Sequence, residues 1–181
     1  MTVLILHGIL GSAGENWGQW LHDSLIAKSY EVIMPTLPKA DHPDRCEWLE
    51  AIKRIVPKDT SQLIMVGHSL GVTSALDFIE QSPEPVKALL SVSGMAQDYG
   101  MELNSYFLKA KSVDFERVNA NLRHASVFYG DNDPYVTQDA LKSLARELQV
   151  QPVIINEGGH LNASAGFTTF PALLEAILAE D

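Results

Sequence analysis

Leu63-Ile64-Met65-Val66-Gly67-His68-Ser69-Leu70-Gly71 is the stretch that decides how this 181-residue chain folds. Four apolar residues of strand size run straight into a G-x-S-x-G sequence, and Leu70, Ala75, Leu76 and Ile79 then follow helical spacing. A serine between a strand and a helix occupies a sharp, strained turn, so the positions two before and two after it must be small; Gly67 and Gly71 meet that need. The turn lifts the Ser69 hydroxyl clear of a sheet and sets the Leu70 amide at a helix N-terminus, where developing negative charge is stabilised. The competing reading, a glycine-rich turn with a capping serine, does not account for the strand before it and the helix after it.

Outward from this point the same rhythm repeats. Strand-like runs cover Val3 to Leu6, Glu31 to Met34, Leu63 to Val66, Val86 to Val92, Ala125 to Tyr129 and Val153 to Ile155, mostly apolar on both faces, as buried parallel strands are. Between them Trp17, Trp20, Leu21 and Leu25 follow helical spacing, as do Leu49, Ile52, Ile55 and Val56 up to Pro57. Thr137 is placed to cap a helix through Leu148, and Pro171 to open the last one. About six mostly parallel strands in a doubly wound sheet, with helices on both faces, make a three-layer α/β fold whose site lies at the carboxyl ends of the strands. Residues 1–181 read as one domain, with no repeat or linker. Residues 94–124 break the rhythm, being too long for an ordinary connection. Met95, Tyr99, Met101, Leu103, Tyr106, Phe107 and Leu108 make this segment apolar and aromatic, either a small lid or a peripheral helix.

A serine hydroxyl needs an imidazole to take its proton and a carboxylate to fix that imidazole's tautomer. Gly158-Gly159-His160, after the last strand, supplies the base, His160. In Gly130-Asp131-Asn132-Asp133-Pro134, Asp133 is preferred as the acid because Pro134 stiffens the loop behind it. Asp131, next to the strand end, suits a turn or cap, and Asp98 is the outside candidate. His7, His22, His42, His68 and His124 read as structural or solvated. Leu6-His7-Gly8-Ile9-Leu10-Gly11 ends the first strand, and the Ile9 amide is the second oxyanion donor beside that of Leu70. This glycine-enriched loop lacks both G-x-G-x-x-G and a Gly-Lys-Ser/Thr sequence, which argues against a phosphate cradle. No cofactor and no metal are expected, since no two histidines have the i, i+4 spacing of a helical zinc pair and Cys46 is alone. Trp17, Tyr135 and Phe167 are candidate substrate contacts.

Composition sets the surroundings. Thirteen basic against 23 acidic residues leave a net charge of −10, the wrong sign for nucleic acid or anionic lipid. No apolar run approaches the roughly 20 residues of a membrane span. The single cysteine and the absence of a signal-peptide pattern after Met1 point to the cytoplasm. A small ester or acyl compound is the expected substrate; the alternative is a non-catalytic interaction domain on the same scaffold.

With oxyanion strand, elbow serine, acid and histidine in this order, the chain resembles the α/β-hydrolase superfamily over essentially its full length. Its shortness, Asn16-Trp17 with Trp20, Gly67-His68-Ser69-Leu70-Gly71, Asp133-Pro134 and Gly159-His160 make it similar to small bacterial serine hydrolases related to retinoblastoma-binding protein 9. That resemblance implies a sheet lacking the usual first two strands, a triad of Ser69, Asp133 and His160, and esterase-like activity. A retinoblastoma-binding L-x-C-x-E is absent: Asp44 and Trp48 stand where its Leu and Glu would flank Cys46.

Overall fold

In the computed structural model, which describes residues 1–180, the apolar runs are the strands of one parallel sheet. The strands are β1 (Thr2–Leu6), β2 (Glu31–Ile33), β3 (Leu63–His68), β4 (Val86–Val92), β5 (Leu122–Gly130) and β6 (Val153–Ile155), in the order β2-β1-β3-β4-β5-β6. The helices are α1 (Gly18–Ile26), α2 (Arg45–Ile55), α3 (Leu70–Gln81), α4 (Glu102–Lys109), α5 (Phe115–Ala120), α6 (Gln138–Glu147) and α7 (Pro171–Leu178). Among the described residues no helix is long and apolar enough to cross a membrane.

Alternate side chains of the central strands enter two separate cores. Leu4, Leu6, Leu63 and Met65 pack with Trp48 of α2, Leu76 of α3 and Leu144 of α6. Val3, Ile5, Ile64 and Val66 point the other way, to Leu21 of α1 and Leu173 and Ile177 of α7. Burial on both faces is why these strands read as unbroken apolar runs, and the result is the expected three-layer, doubly wound architecture. The direction of strand addition reverses between β1 and β3, whose last paired residues are Leu6 and Gly67. The loops that follow these two strands therefore open a crevice at the carboxyl edge of the sheet, where open α/β sheets bind ligands.

The local stop and start signals act as expected. Asp44 caps α2 by accepting from the Glu47 amide (2.8 Å), Thr137 caps α6 by accepting from that of Ala140 (3.3 Å), and Pro171 opens α7. β5 starts at Leu122, three residues ahead of its apolar run, because pairing with β4 uses only backbone groups and leaves Arg123 and His124 exposed.

Residues 94–124 hold α4 and α5, and a buried charge cluster fastens their junction. Arg45 donates to Asp77 through Nε (2.6 Å) and Nη2 (2.9 Å), while its Nη1 donates to the carbonyls of Phe107, Leu108 and Lys111 at the end of α4. Lys111 adds ion pairs to Asp77 (3.1 Å) and Glu80. The far half of the segment is thus bolted to α3. Because the Arg45 and Asp77 side chains are only 4% and 1% exposed, Asp77→Ala should strand a buried guanidinium and lower stability by about 3–5 kcal/mol. Combining Arg45→Met with Asp77→Leu should recover much of that loss in urea unfolding. A single variant within about 0.5 kcal/mol of the parent would contradict this role.

Candidate active site

Ser69 stands between β3 and α3 with φ 55° and ψ −124°, a conformation few non-glycine residues adopt. What forces it there is close packing of backbone on backbone. A Cβ on Gly71 would lie 2.6 Å from the carbonyl oxygens of both Leu6 and His7, so only glycine lets the start of α3 press against the end of β1. The next loop arrives equally close: a Cβ on Gly8 would meet Ser69 Cβ at 2.8 Å.

Two amides follow the residues that meet here, that of Ile9 after Gly8 and that of Leu70 after Ser69. Among the described residues neither Ile9 N–H nor Leu70 N–H donates to another backbone group. The Ile9 amide is aimed by His7. The Leu37 amide donates to His7 Nε2 (2.8 Å), so the ring proton sits on Nδ1, which donates to the Gly8 carbonyl (2.8 Å). In a trans peptide the C=O and N–H point in opposite directions, so holding the Gly8 carbonyl turns the Ile9 N–H outward. Burial pushes the His7 pKa below its ordinary value, which keeps this ring neutral.

His160 lies on a loop that other loops hold residue by residue. Three consecutive side chains after β5 do most of this. Asp131 Oδ1 accepts from the Glu157 amide (2.8 Å), Asn132 Oδ1 from the Gly159 amide (2.7 Å), and Asp133 Oδ2 from His160 Nδ1 (2.8 Å). Asp133 Oδ1 also accepts from the amides of Tyr135 (2.9 Å) and Val136 (3.0 Å), and its side chain is fully buried. With Nδ1 donating to this carboxylate, Nε2 is the basic nitrogen of His160. From the opposite side His68 Nε2 donates to the His160 carbonyl (2.9 Å), Trp17 Nε1 to that of Leu161 (3.0 Å), and Asn16 Oδ1 accepts from the Ala163 amide (2.9 Å). Burial, reinforced by the neighbouring His160, pushes the His68 pKa down to about 3.

Ser69 and His160 share the wall of a cavity of about 330 Å³, reached also by Ile9, Trp17, Met101 and Tyr135. Among the described residues no hydrogen bond joins Ser69 Oγ to His160, and such contacts commonly tighten only when substrate is bound. The structure brings Ser69, His160, Asp133, Ile9 and Leu70 together. It does not bring Asp98, which instead pairs with Lys109 (3.4 Å), while Asp131, read from the sequence as a local turn or cap residue, instead accepts from the Glu157 amide 26 residues away. Tyr135 is half exposed and sets its ring edge to face with that of His160, at 5.2 Å between centroids. Trp17 touches the cavity but is buried and spent on Leu161, whereas Phe167 packs against Phe170 and is not part of the lining. Tyr99, Met101, Leu103 and Asn104 bring the near half of the 94–124 segment to the cavity. The supporting parts played by His7, His68, Asn16 and Asn132 are not foreseeable from local sequence, except that Asn16 and His68 lie within the stretches that carry the family resemblance.

A family model described as serine hydrolase matches residues 3–179. The chain belongs to this serine hydrolase family. The presumptive hydrolase YdeN of Bacillus subtilis is 25% identical over 178 residues, spanning 97% of this chain and 93% of that protein. The crystal structure of the same gene product superposes with a TM-score of 0.92 over 99% of this chain and 97% of that one, at 24% identity. Est1E from Butyrivibrio proteoclasticus gives a TM-score of 0.75 at 16% identity, covering 99% and 87%. Likeness at these identities speaks for the fold, which is of the α/β-hydrolase type, while family membership makes the chain a hydrolytic enzyme.

The buried histidines of this serine hydrolase carry a stability signature. Unfolded, His68 protonates near pH 6.5; folded, it resists until about pH 3. Between those values the unfolded chain binds the extra proton, so the contribution is complete above pH 6.5 and drains as pH falls, at up to about 1.4 kcal/mol per pH unit. His68→Gln keeps an N–H donor but cannot titrate, and should flatten this acid limb in urea unfolding measured across pH. An unchanged limb would show that His68 does not titrate as described.

Proposed function

We propose that this serine hydrolase is a carboxylesterase for small ester or thioester substrates, working through Ser69, His160 and Asp133. The observation that carries the reading is the 2.8 Å bond to the buried Asp133 carboxylate from Nδ1 of His160, which shares a cavity wall with the strained Ser69. As Ser69 Oγ attacks the acyl carbon, its proton passes to His160 Nε2 and Asp133 stabilises the imidazolium. The carbonyl oxygen, now negative, accepts from the Ile9 and Leu70 amides. The alcohol or thiol leaves with the proton from His160, and a water deprotonated by the same imidazole releases the acid from the acyl-enzyme. In this reading the Tyr99 to Asn104 stretch is the inner edge of a small lid, Tyr135 borders the substrate, and Trp17 acts through the His160 loop. The sequence resemblance to relatives of retinoblastoma-binding protein 9 and a cytoplasmic setting belong to the same proposal.

Turnover of p-nitrophenyl esters by purified variants tests it. Ser69→Ala should lower kcat on the order of 10⁶-fold, provided parent enzyme is excluded from the preparation. Asp133→Asn should cost on the order of 10⁴-fold with little loss of stability, because the amide can select the wrong imidazole tautomer. Asp98→Asn should stay near parental, and Asp131→Asn should lose thermal stability rather than rate. Retained turnover in Ser69→Ala, or a parental Asp133→Asn beside a crippled Asp98→Asn, would refute the assignment.

A further inference from the structure

The cavity beside Ser69 is one-sided in charge. Among the described residues no lysine or arginine lines it, whereas Glu15 stands on its wall, in the loop between β1 and α1. Glu15 is exposed, and among the described residues its carboxylate is engaged only through Oε1, which accepts from Ser12 Oγ (3.0 Å). Its field reaches the base of the oxyanion loop, where it works to raise the pKa of His7 against the effect of burial. The lysines on the flanking segments are already paired: Lys39 with Glu47 at 2.8 Å, and Lys109 with Asp98 at 3.4 Å. Much of the remaining lining is apolar, with Leu10, Met34, Met101 and Leu103 among it, and the chain as a whole carries a charge of −10.

An anionic group entering this space loses hydration and finds no cation to replace it, while an ammonium group finds a carboxylate. Resting on the esterase reading, we infer that Glu15 selects substrates by charge: small esters ending in an ammonium group are preferred over neutral ones, and those bearing carboxylate or phosphate are turned away. Thioesters of phosphorylated carriers fall in the rejected class. Because Glu15 is solvated, each step in that order is worth up to about fivefold, the size of an exposed ion pair, and should shrink with added salt.

The test uses three p-nitrophenyl esters of equal acyl length ending in trimethylammonium, its neutral isostere tert-butyl, or carboxylate. In the parent enzyme kcat/KM should fall in that order. Glu15→Gln should compress the ammonium-to-carboxylate ratio and Glu15→Lys should invert it, ratios that do not depend on how much of each preparation is folded. A parallel thermal melt with alkyltrimethylammonium or alkylcarboxylate ions of matching length reads binding without catalysis, and the cation should raise the parental Tm but not that of Glu15→Lys. A parental preference for carboxylate, or the same ratio in Glu15→Lys, would overturn the inference. If none of the three esters is hydrolysed, the esterase reading fails. The melts then decide the charge selection alone: a cation-specific shift lost in Glu15→Lys upholds it and equal shifts refute it.

Discussion

The backbone of Ser69, turned to φ 55° between a strand and a helix, is the constraint on which the rest of the site depends. A residue held this way costs on the order of 1–3 kcal/mol, so the surroundings must over-determine it. They do so from both sides. The Ser69 amide donates to Val92 at the end of β4 (3.0 Å), and α3 behind it is buried from Leu70 to Glu80. Leu10, Asn16 and Leu161 also have positive φ, and all lie in the loops around the same cavity. Four residues of positive φ, Ser69 included, therefore sit around the cavity at the carboxyl edge of the sheet, backed by cores on both of its faces.

Beside this fixed serine, the imidazole is positioned by hydrogen bonds rather than by packing alone. Asp131, Asn132 and Asp133 reach successive points of the His160 loop, and His68, Trp17 and Asn16 hold it from the other side. Each bond is worth only about 1 kcal/mol net, but together they leave the ring little freedom, which is what a preorganised site requires. Burial keeps His7 and His68 neutral, so they orient the Gly8–Ile9 peptide and the His160 loop as dipoles. A positive charge at His68 would oppose the protonation that the proposed mechanism asks of His160.

Much of this is legible in the amino-acid sequence. The strands stand out because they are buried on both faces, and Gly67 to Gly71 marks the turn because backbone contact leaves no room for a side chain at Gly71. His160 and Asp133 follow from their places after β6 and β5. What stays hidden depends on distant partners: the bond from Trp17 to Leu161 joins residues 144 apart in sequence, and that from His68 to His160 joins residues 92 apart. Residues 94–124 resist reading for a related reason. The junction of α4 and α5 is fastened by Arg45, a charged residue whose burial follows from meeting Asp77 on another helix, and nothing in the local pattern around Arg45 signals that meeting.

The central claim, that this geometry makes Ser69 a nucleophile, is tested most directly by reaction with a fluorophosphonate followed by peptide mapping. The expected result is a single equivalent of phosphonyl adduct on Ser69, absent from Ser69→Ala and strongly slowed in His160→Ala. A folded parent protein that stays unlabelled, or that is labelled at another residue, would contradict the claim.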